Sequence, residues 1–134
     1  SWFRQAMATA SGAEFAVADV VRNAVLDNAT VATYATAIRR DGLEHGEPLG
    51  VLGIFFDWAP QAQAVVQGVR LDQTSGARCL LVDARKRVIA ASDGRGVLEE
   101  VFPLQAQNAT GHYLDVSGRI VGYALTPGYE TYRG

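Results

Sequence analysis

Asp57 ends the apolar run Val51-Leu52-Gly53-Ile54-Phe55-Phe56 and is followed at once by Trp58-Ala59-Pro60. A carboxylate at a strand end, beside an aromatic ring, can take the ammonium of a ligand through charge-assisted hydrogen bonds. The same side chain is placed to cap a helix that starts near Pro60. Asp19 supplies a second anion, which would suit a bound cation; the alternatives are a merely exposed residue or a charge at a helix start. Trp2, Phe3 and Tyr34 are aromatics of the kind that line small-molecule sites and present a polar edge, and ordinary core packing is the alternative for each. Asp83 and Asp93 fall where hairpins turn, and aspartate in turns mostly bonds its own backbone.

Other chemistries lack their residues. The sequence holds no G-x-S-x-G elbow, no H-E-x-x-H and no supported Cys/His pair, so no enzymatic activity is expected. His45 sits in a polar loop and His112 on a strand, with no second ligand at metal spacing; neither a metal nor any other cofactor is expected. Gly94-Arg95-Gly96 is too short for a phosphate-binding fingerprint. Asn28-Ala29-Thr30 and Asn108-Ala109-Thr110 fit the glycosylation acceptor pattern, which matters only in a glycosylating secretory pathway. With Lys+Arg 12 against Asp+Glu 14 and a net charge of −2, the chain has no basic footprint for nucleic acid or anionic lipid. The single cysteine, Cys79, lies in the apolar run Cys79-Leu80-Leu81-Val82 and reads as a buried, inert thiol. No apolar run approaches the roughly 20 residues of a membrane span.

The elements that must position the aromatic and acidic residues follow from hydrophobic periodicity. Residues 30–39, rich in β-branched and small side chains, read as a strand, and 50–56 as a second. Asp41-Gly42, Gly46 and Pro48 mark the loop between them. Ala62, Val65, Val66 and Val69 then repeat on one helical face, predicting a helix over 60–68 packed on the sheet. Further strands are expected at 77–82, 88–91, 111–116 and 120–125, the last two forming a hairpin around Ser117-Gly118. Residues 1–10 read as the end of a helix, 19–26 as about two helical turns after an extended entry, and 97–102 as a short helix. The tail 129–134 is compatible with strand. No internal repeat and no low-complexity tract is evident. The length of 134 residues suits one domain, and 49% hydrophobic residues suffice for a core. The chain starts in what reads as mid-helix, so it is expected to be a single domain cut from a longer protein. The expected fold class is α+β: one antiparallel sheet of five to six strands, helices on one face, and an N-terminal helix.

This pattern resembles the Cache family of PAS-like extracytoplasmic sensor domains, found in bacterial chemoreceptors, histidine kinases and related receptors. The likeness is carried by Trp2-Phe3-x-x-Ala6, by Thr33-Tyr34-Ala35 leading into Gly50-Val51-Leu52-Gly53-Ile54-Phe55-Phe56-Asp57, by Leu81-Val82-Asp83 before Val88-Ile89-Ala90-Ala91-Ser92, and by Gly122-Tyr123-Ala124. In the amino-acid-binding branch of that family an aromatic pair closes the pocket, an arginine before the pair holds the ligand carboxylate, and two aspartates hold its amine. The resemblance matches Trp2 and Phe3 to the aromatic pair, Asp57 to one aspartate and Asp19 to the other. The arginine would lie before Ser1, and Arg4 stands on the wrong side of the pair.

The resemblance implies a periplasmic, ligand-binding input domain of a membrane signal-transduction protein. Its ligand would be a small polar molecule, an amino acid, amine or carboxylate. A homodimer through the N-terminal helix is expected, with the membrane reached only through flanking segments. The alternative is a cytoplasmic PAS- or GAF-like module used for cofactor binding or dimerisation.

Overall fold

The computed structural model describes residues 1–72 and 75–128. Helix α1 (Trp2–Met7) is short and buries Ala6, and the Thr9 hydroxyl donates to the Ala6 carbonyl at 2.8 Å where the helix ends. Strands β1 (Ala16–Asn23), β2 (Ala29–Arg39) and β3 (Pro48–Asp57) form one antiparallel sheet in that order. The turn from β1 to β2 is a single 3₁₀ turn, Ala24–Leu26, capped by the Asn23 side chain, which accepts from the Val25 N–H at 3.0 Å. Asp27 and Asn28 then adopt left-handed backbone angles, which aspartate and asparagine tolerate better than most residues.

Central position explains the composition of β2. Its alternating side chains are covered on both faces, and Val31, Ala32, Thr33, Ala35 and Ala37 are all buried. One face carries Thr33 and Ala35 beside Phe55 and Gly53 of β3. The opposite face carries Ala32 and Tyr34, packed with Val20 of β1.

Helix α2 (Trp58–Gln67) leaves β3 directly and buries Ala62 and Val66 against Ala90 of β5 (Val88–Ala91), the partner of β4 (Leu80–Val82). The Trp58 indole N–H donates to the Ile89 carbonyl at 2.7 Å, so helix and hairpin are tied by a bond as well as by contact. Ile89 closes over Val20 and Ala32, which makes this layer the core of the molecule. A fully buried valine contributes roughly 1.5–3 kcal/mol; Val20, Val66 and Val88 are all of this kind. Strands β6 (Thr110–Leu114) and β7 (Ile120–Ala124) form a separate hairpin.

Four expectations need correction. The strands do not join into one five- to six-stranded sheet: among the described residues they form a three-stranded sheet and two two-stranded ones. The helices do not share a face, since α1 lies against Gly53 and Phe55 while α2 packs with the hairpin on the Ala32 side. Residues 19–26 are not two helical turns; β1 runs to Asn23, and its β-branched valines are used in pairing. Residues 97–102 form turns, not a helix, with Leu98 left-handed and Val101 bridged to Arg87. The remaining elements fall within a few residues of their expected bounds. The tail at 129–134 lies outside the described residues.

Candidate functional site

Gly53 and Trp2 build the first wall. A side chain at Gly53 would place its Cβ 3.1 Å from the Trp2 ring, so only glycine lets the indole lie this close to β3. Phe55 meets Trp2 edge to face with ring centres 5.5 Å apart, and Phe3 meets it at 6.0 Å. The aromatic cluster fastens α1 to the sheet and leaves part of Trp2 on the wall of an open cleft.

That cleft, about 600 Å³ in volume, runs between the start of α1 and β1 and is lined by Trp2, Gln5, Asp19, Arg22, Thr33 and Arg85 among others. A bulge in β1 shapes it. Between the pairs Ala18–Thr33 and Val21–Val31, two residues of β1, Asp19 and Val20, stand opposite the single Ala32. The extra residue lets Val20 enter the core beside Ala32 while Asp19 lines the cleft. There the Asp19 carboxylate pairs with the Arg85 guanidinium at 2.7 Å.

Arg85 is delivered by the turn between β4 and β5. Asp83, buried at its start, accepts from the backbone N–H groups of Arg85 and Arg87, each at 2.9 Å, and from Arg87 Nε at 2.8 Å. The Arg87 guanidinium also donates to the Val20 carbonyl at 3.3 Å. The turn is therefore fastened to the β1 bulge twice, through Arg87 on Val20 and through Arg85 on Asp19. Arg22, the other cation of the cleft, pairs with Glu99 at 3.2 Å.

The five residues singled out from the sequence separate. Trp2 and Asp19 meet in the cleft. Phe3 backs Trp2 and is half-exposed. Tyr34 lies across the sheet, packed on the core of Val20, Ala32 and Ile89 and near Phe15 at 6.1 Å. Asp57 ends β3 opposite Val31, is exposed, and its side chain makes no capping bond to α2; it stands apart from the lining of the cleft. Arg85, Arg22 and Thr33 were not singled out. The signal for Arg85 was present, a turn of three cations, Arg85-Lys86-Arg87, following an aspartate. Its pairing with Asp19, far off in sequence, was not.

A second open cleft, about 520 Å³, lies beside Val66 and Arg78. Arg78 is shared between Glu100, hydrogen-bonded at 3.2 Å, and Asp93, whose carboxylate lies 2.9 Å from Arg78 Nε without hydrogen-bond alignment. Burial would lower the Arg78 pKa, but the Glu100 hydrogen bond and charge, then Asp93, outweigh it and raise the value. At Asp93 burial likewise opposes the outcome, yet hydrogen bonds from Arg95 and the charge of Arg78 hold the carboxyl down at about 2. The cluster is internally neutralised. Burial pushes the Cys79 thiol pKa up, against reactivity. Among the described residues no His, Cys, Asp and Glu cluster could hold a metal ion, and no helix is long and apolar enough to cross a membrane.

No protein-family model and no curated protein matches the chain. Among solved structures, its fold is similar to that of the ligand-binding domain of Campylobacter jejuni chemoreceptor Tlp3, determined in complex with 4-methylisoleucine. The TM-score is 0.50 at 23% sequence identity, and the match covers 81% of this chain and 35% of that chain. The chain thus spans about a third of the length of the structure it matches, and the likeness is one of fold.

Proposed function

We propose that this chain is a ligand-binding sensory domain of a bacterial transmembrane receptor, placed outside the cytoplasm, and that it binds a small polar molecule without turning it over. The observation that carries this reading is the cleft in which one aromatic wall, Trp2, meets an anion and a cation, Asp19 and Arg85. Small-molecule sites take this form, an apolar surface with a few convergent polar groups that fix orientation. The fold likeness to a chemoreceptor ligand-binding domain, and the resemblance to PAS-like Cache sensors in the motifs around Trp2 and Gly53, support it. Because Trp2 belongs to α1, occupancy of the cleft would bias the position of that helix against β3, and the flanking chain would carry the shift to the rest of the receptor. A dimer through α1 would let two such shifts act together.

Calorimetric titration of the purified domain with amino acids, amines and carboxylates tests the reading. A ligand is expected, and Asp19→Asn should weaken it about tenfold, the effect of losing one charge-assisted hydrogen bond. Asp57→Asn serves as the comparison. Loss of affinity in Asp19→Asn alone localises the ligand to the cleft, whereas loss in Asp57→Asn alone moves the site to the end of β3. A chromophore or haem retained by the purified domain, with none of the panel binding, would overturn the proposal in favour of a cytoplasmic PAS- or GAF-like module.

A further inference from the structure

We propose that Arg39 is the pivot of α1: it holds the Thr9 end of the helix to the sheet, so that a ligand in the cleft moves the Trp2 end while the other end stays fixed. The movement rests on the ligand-binding reading above. The pivot itself is a property of the unliganded chain.

Arg39 is the last residue of β2. By strand alternation it shares the sheet face of Ala35 and Ala37, and Ala35 pairs with the Gly53 that meets Trp2. Arg39 is buried, with 9% of its surface exposed, and among the described residues no carboxylate pairs with it. A buried guanidinium with neutral partners is costly to desolvate, and an apolar side chain of similar volume often serves stability as well. What the guanidinium supplies is a planar fork that holds two segments in one geometry. Its Nη1 donates to the Gly46 carbonyl at 2.9 Å, in the loop between β2 and β3. Its Nη2 donates to the Thr9 carbonyl and, at 3.1 Å, to the Thr9 hydroxyl. That hydroxyl donates in turn to the carbonyl of Ala6, one of the last four of α1, which lack an ordinary helical partner. Beyond it the Gly12 N–H donates to the Glu44 carbonyl at 2.7 Å, so the chain leaving α1 is bonded to the same loop again.

The Trp2 end is held differently. Its contacts with Gly53 and Phe55 are apolar, and the open cleft lies beside them. Each such contact is individually weak and has no fixed direction, whereas hydrogen bonds weaken steeply once misaligned. A displacement of α1 therefore falls on the Trp2 end, which is the end that lines the cleft.

Gly53→Ala pushes on that end without any ligand, because the added Cβ would lie 3.1 Å from the indole. Fluorine NMR of the fluorotryptophan-labelled domain reads Trp2, with Trp58, the other tryptophan, as the reference in the core layer. Hydrogen exchange reads the far end of α1 at the Ala8 and Thr9 amides, which donate to the Arg4 and Ala6 carbonyls. Gly53→Ala alone should shift the Trp2 resonance and leave those two amides unchanged. Arg39→Met should speed them about tenfold or more, the effect of losing charge-assisted hydrogen bonds, with the β2 amides of Ala35 and Ala37 unchanged. Adding Gly53→Ala to Arg39→Met should then disturb both ends. Arg39→Lys keeps the charge but not the fork, and should behave nearer to Arg39→Met than to the parent. Thr9→Val leaves Arg39 on Gly46 and should speed the same two amides, so it carries the test if Arg39→Met does not fold. Unchanged Ala8 and Thr9 amides in Arg39→Met and Thr9→Val, or β2 amides that speed up equally, would overturn the anchoring role. Gly53→Ala loosening the Thr9 end of the parent would show α1 moving as a unit and would overturn the pivot. Failure of the parent to bind any amino acid, amine or carboxylate would overturn the ligand-binding reading, while the exchange rates of the unliganded chain still decide the pivot.

Discussion

The turn between β4 and β5 and the turn between β6 and β7 share their chemistry and differ in their surroundings. In the first, Asp83 accepts from the N–H groups two and four residues on and from the Arg87 side chain. In the second, Asp115 accepts from the N–H groups of Ser117 and Arg119, at 2.8 and 2.9 Å, and from Arg119 Nε at 2.9 Å. Both turns place a left-handed residue just before the arginine, Lys86 in one and Gly118 in the other. Yet the Asp83 side chain is 1% exposed and that of Asp115 16%. All four residues of β5 are buried, while β6 and β7 alternate. The aspartate–arginine clamp is thus generic turn chemistry. What distinguishes the first hairpin is its cover, with α2 packed on its strands and the β1 bulge and Phe102 bonded to its turn, and the presence of Arg85 where the second turn has Ser117. Ser117 carries no charge at the position that Arg85 holds in the inner turn.

The largest expected effect tests the cover. Val66 is fully buried where α2 meets Ala90. Val66→Asp would put an unpaired charge in that layer, and a loss of about 4 kcal/mol or outright failure to fold is expected by chemical denaturation. The matching change on the outer hairpin, Ile120→Asp, falls on a residue that is 78% exposed and should leave the midpoint near that of the parent. Equal losses would mean that the outer hairpin is covered in solution and that the contrast between the hairpins fails.

Next in size is the clamp itself. Asp83→Ala removes the acceptor of two backbone N–H groups and leaves Arg87 without its carboxylate partner in a part-buried setting. Breaking such a pair from one side costs about 3 kcal/mol. Asp115→Ala breaks the same pattern beside an Arg119 side chain that is 75% exposed and should cost far less, since solvent takes over the freed guanidinium. The Arg119 backbone N–H, against the opposing effect of burial, and then the Arg119 side chain and the Ser117 N–H, hold the Asp115 carboxyl below its ordinary pKa of 3.8. A carboxyl whose pKa is depressed by folding adds stability above its unfolded value, and that stability is lost as pH falls through the folded one. The Asp115 contribution is therefore complete at neutral pH and disappears only in acid.

Much of the central sheet is legible in the sequence because β2 and β3 are long β-branched or apolar runs bounded by Asp41-Gly42, Gly46 and Pro48. The helical face of Val66 is legible for the same kind of reason, a repeat at helical spacing. β1 is not, because its bulge breaks strict alternation: Val20 and Val21 must face opposite sides, and with Val17 they match a helical spacing as well as a strand. The division into three sheets is not legible either, since period-two patterning specifies a buried face but not a neighbour. At the candidate site Trp2 and Asp19 are readable as residue types in suggestive places. Asp57 is equally suggestive and stands elsewhere, because one strand end looks like another until the chain is folded. Arg85 depends on a contact with a residue more than sixty positions away, which local pattern cannot report. The likeness of the two turns is hidden too, carried by one aspartate and one arginine in otherwise different stretches.

The smallest effect separates the two turns at their shared backbone position. Lys86 has φ 64° and Gly118 φ 75°, both in the left-handed region that side chains with a Cβ resist by about 1–2 kcal/mol. Glycine meets that geometry freely but gives the unfolded chain more freedom, a cost of roughly 0.5–1 kcal/mol. Lys86→Gly should therefore stabilise the domain by about 0.5 kcal/mol, the difference between relieved strain and added entropy. Gly118→Ala should destabilise it by about the same amount or slightly more. No atom outside the turn lies within 4 Å of a Cβ added at Gly118, so the whole effect there is backbone strain. Denaturant midpoints of the two variants, measured beside the parent, read both signs. If Lys86→Gly is instead destabilising, the Lys86 side chain makes a contribution that outweighs its strained backbone. The inner turn would then be held by all three of its cations, not by the Asp83–Arg87 clamp and the Arg85 contact alone.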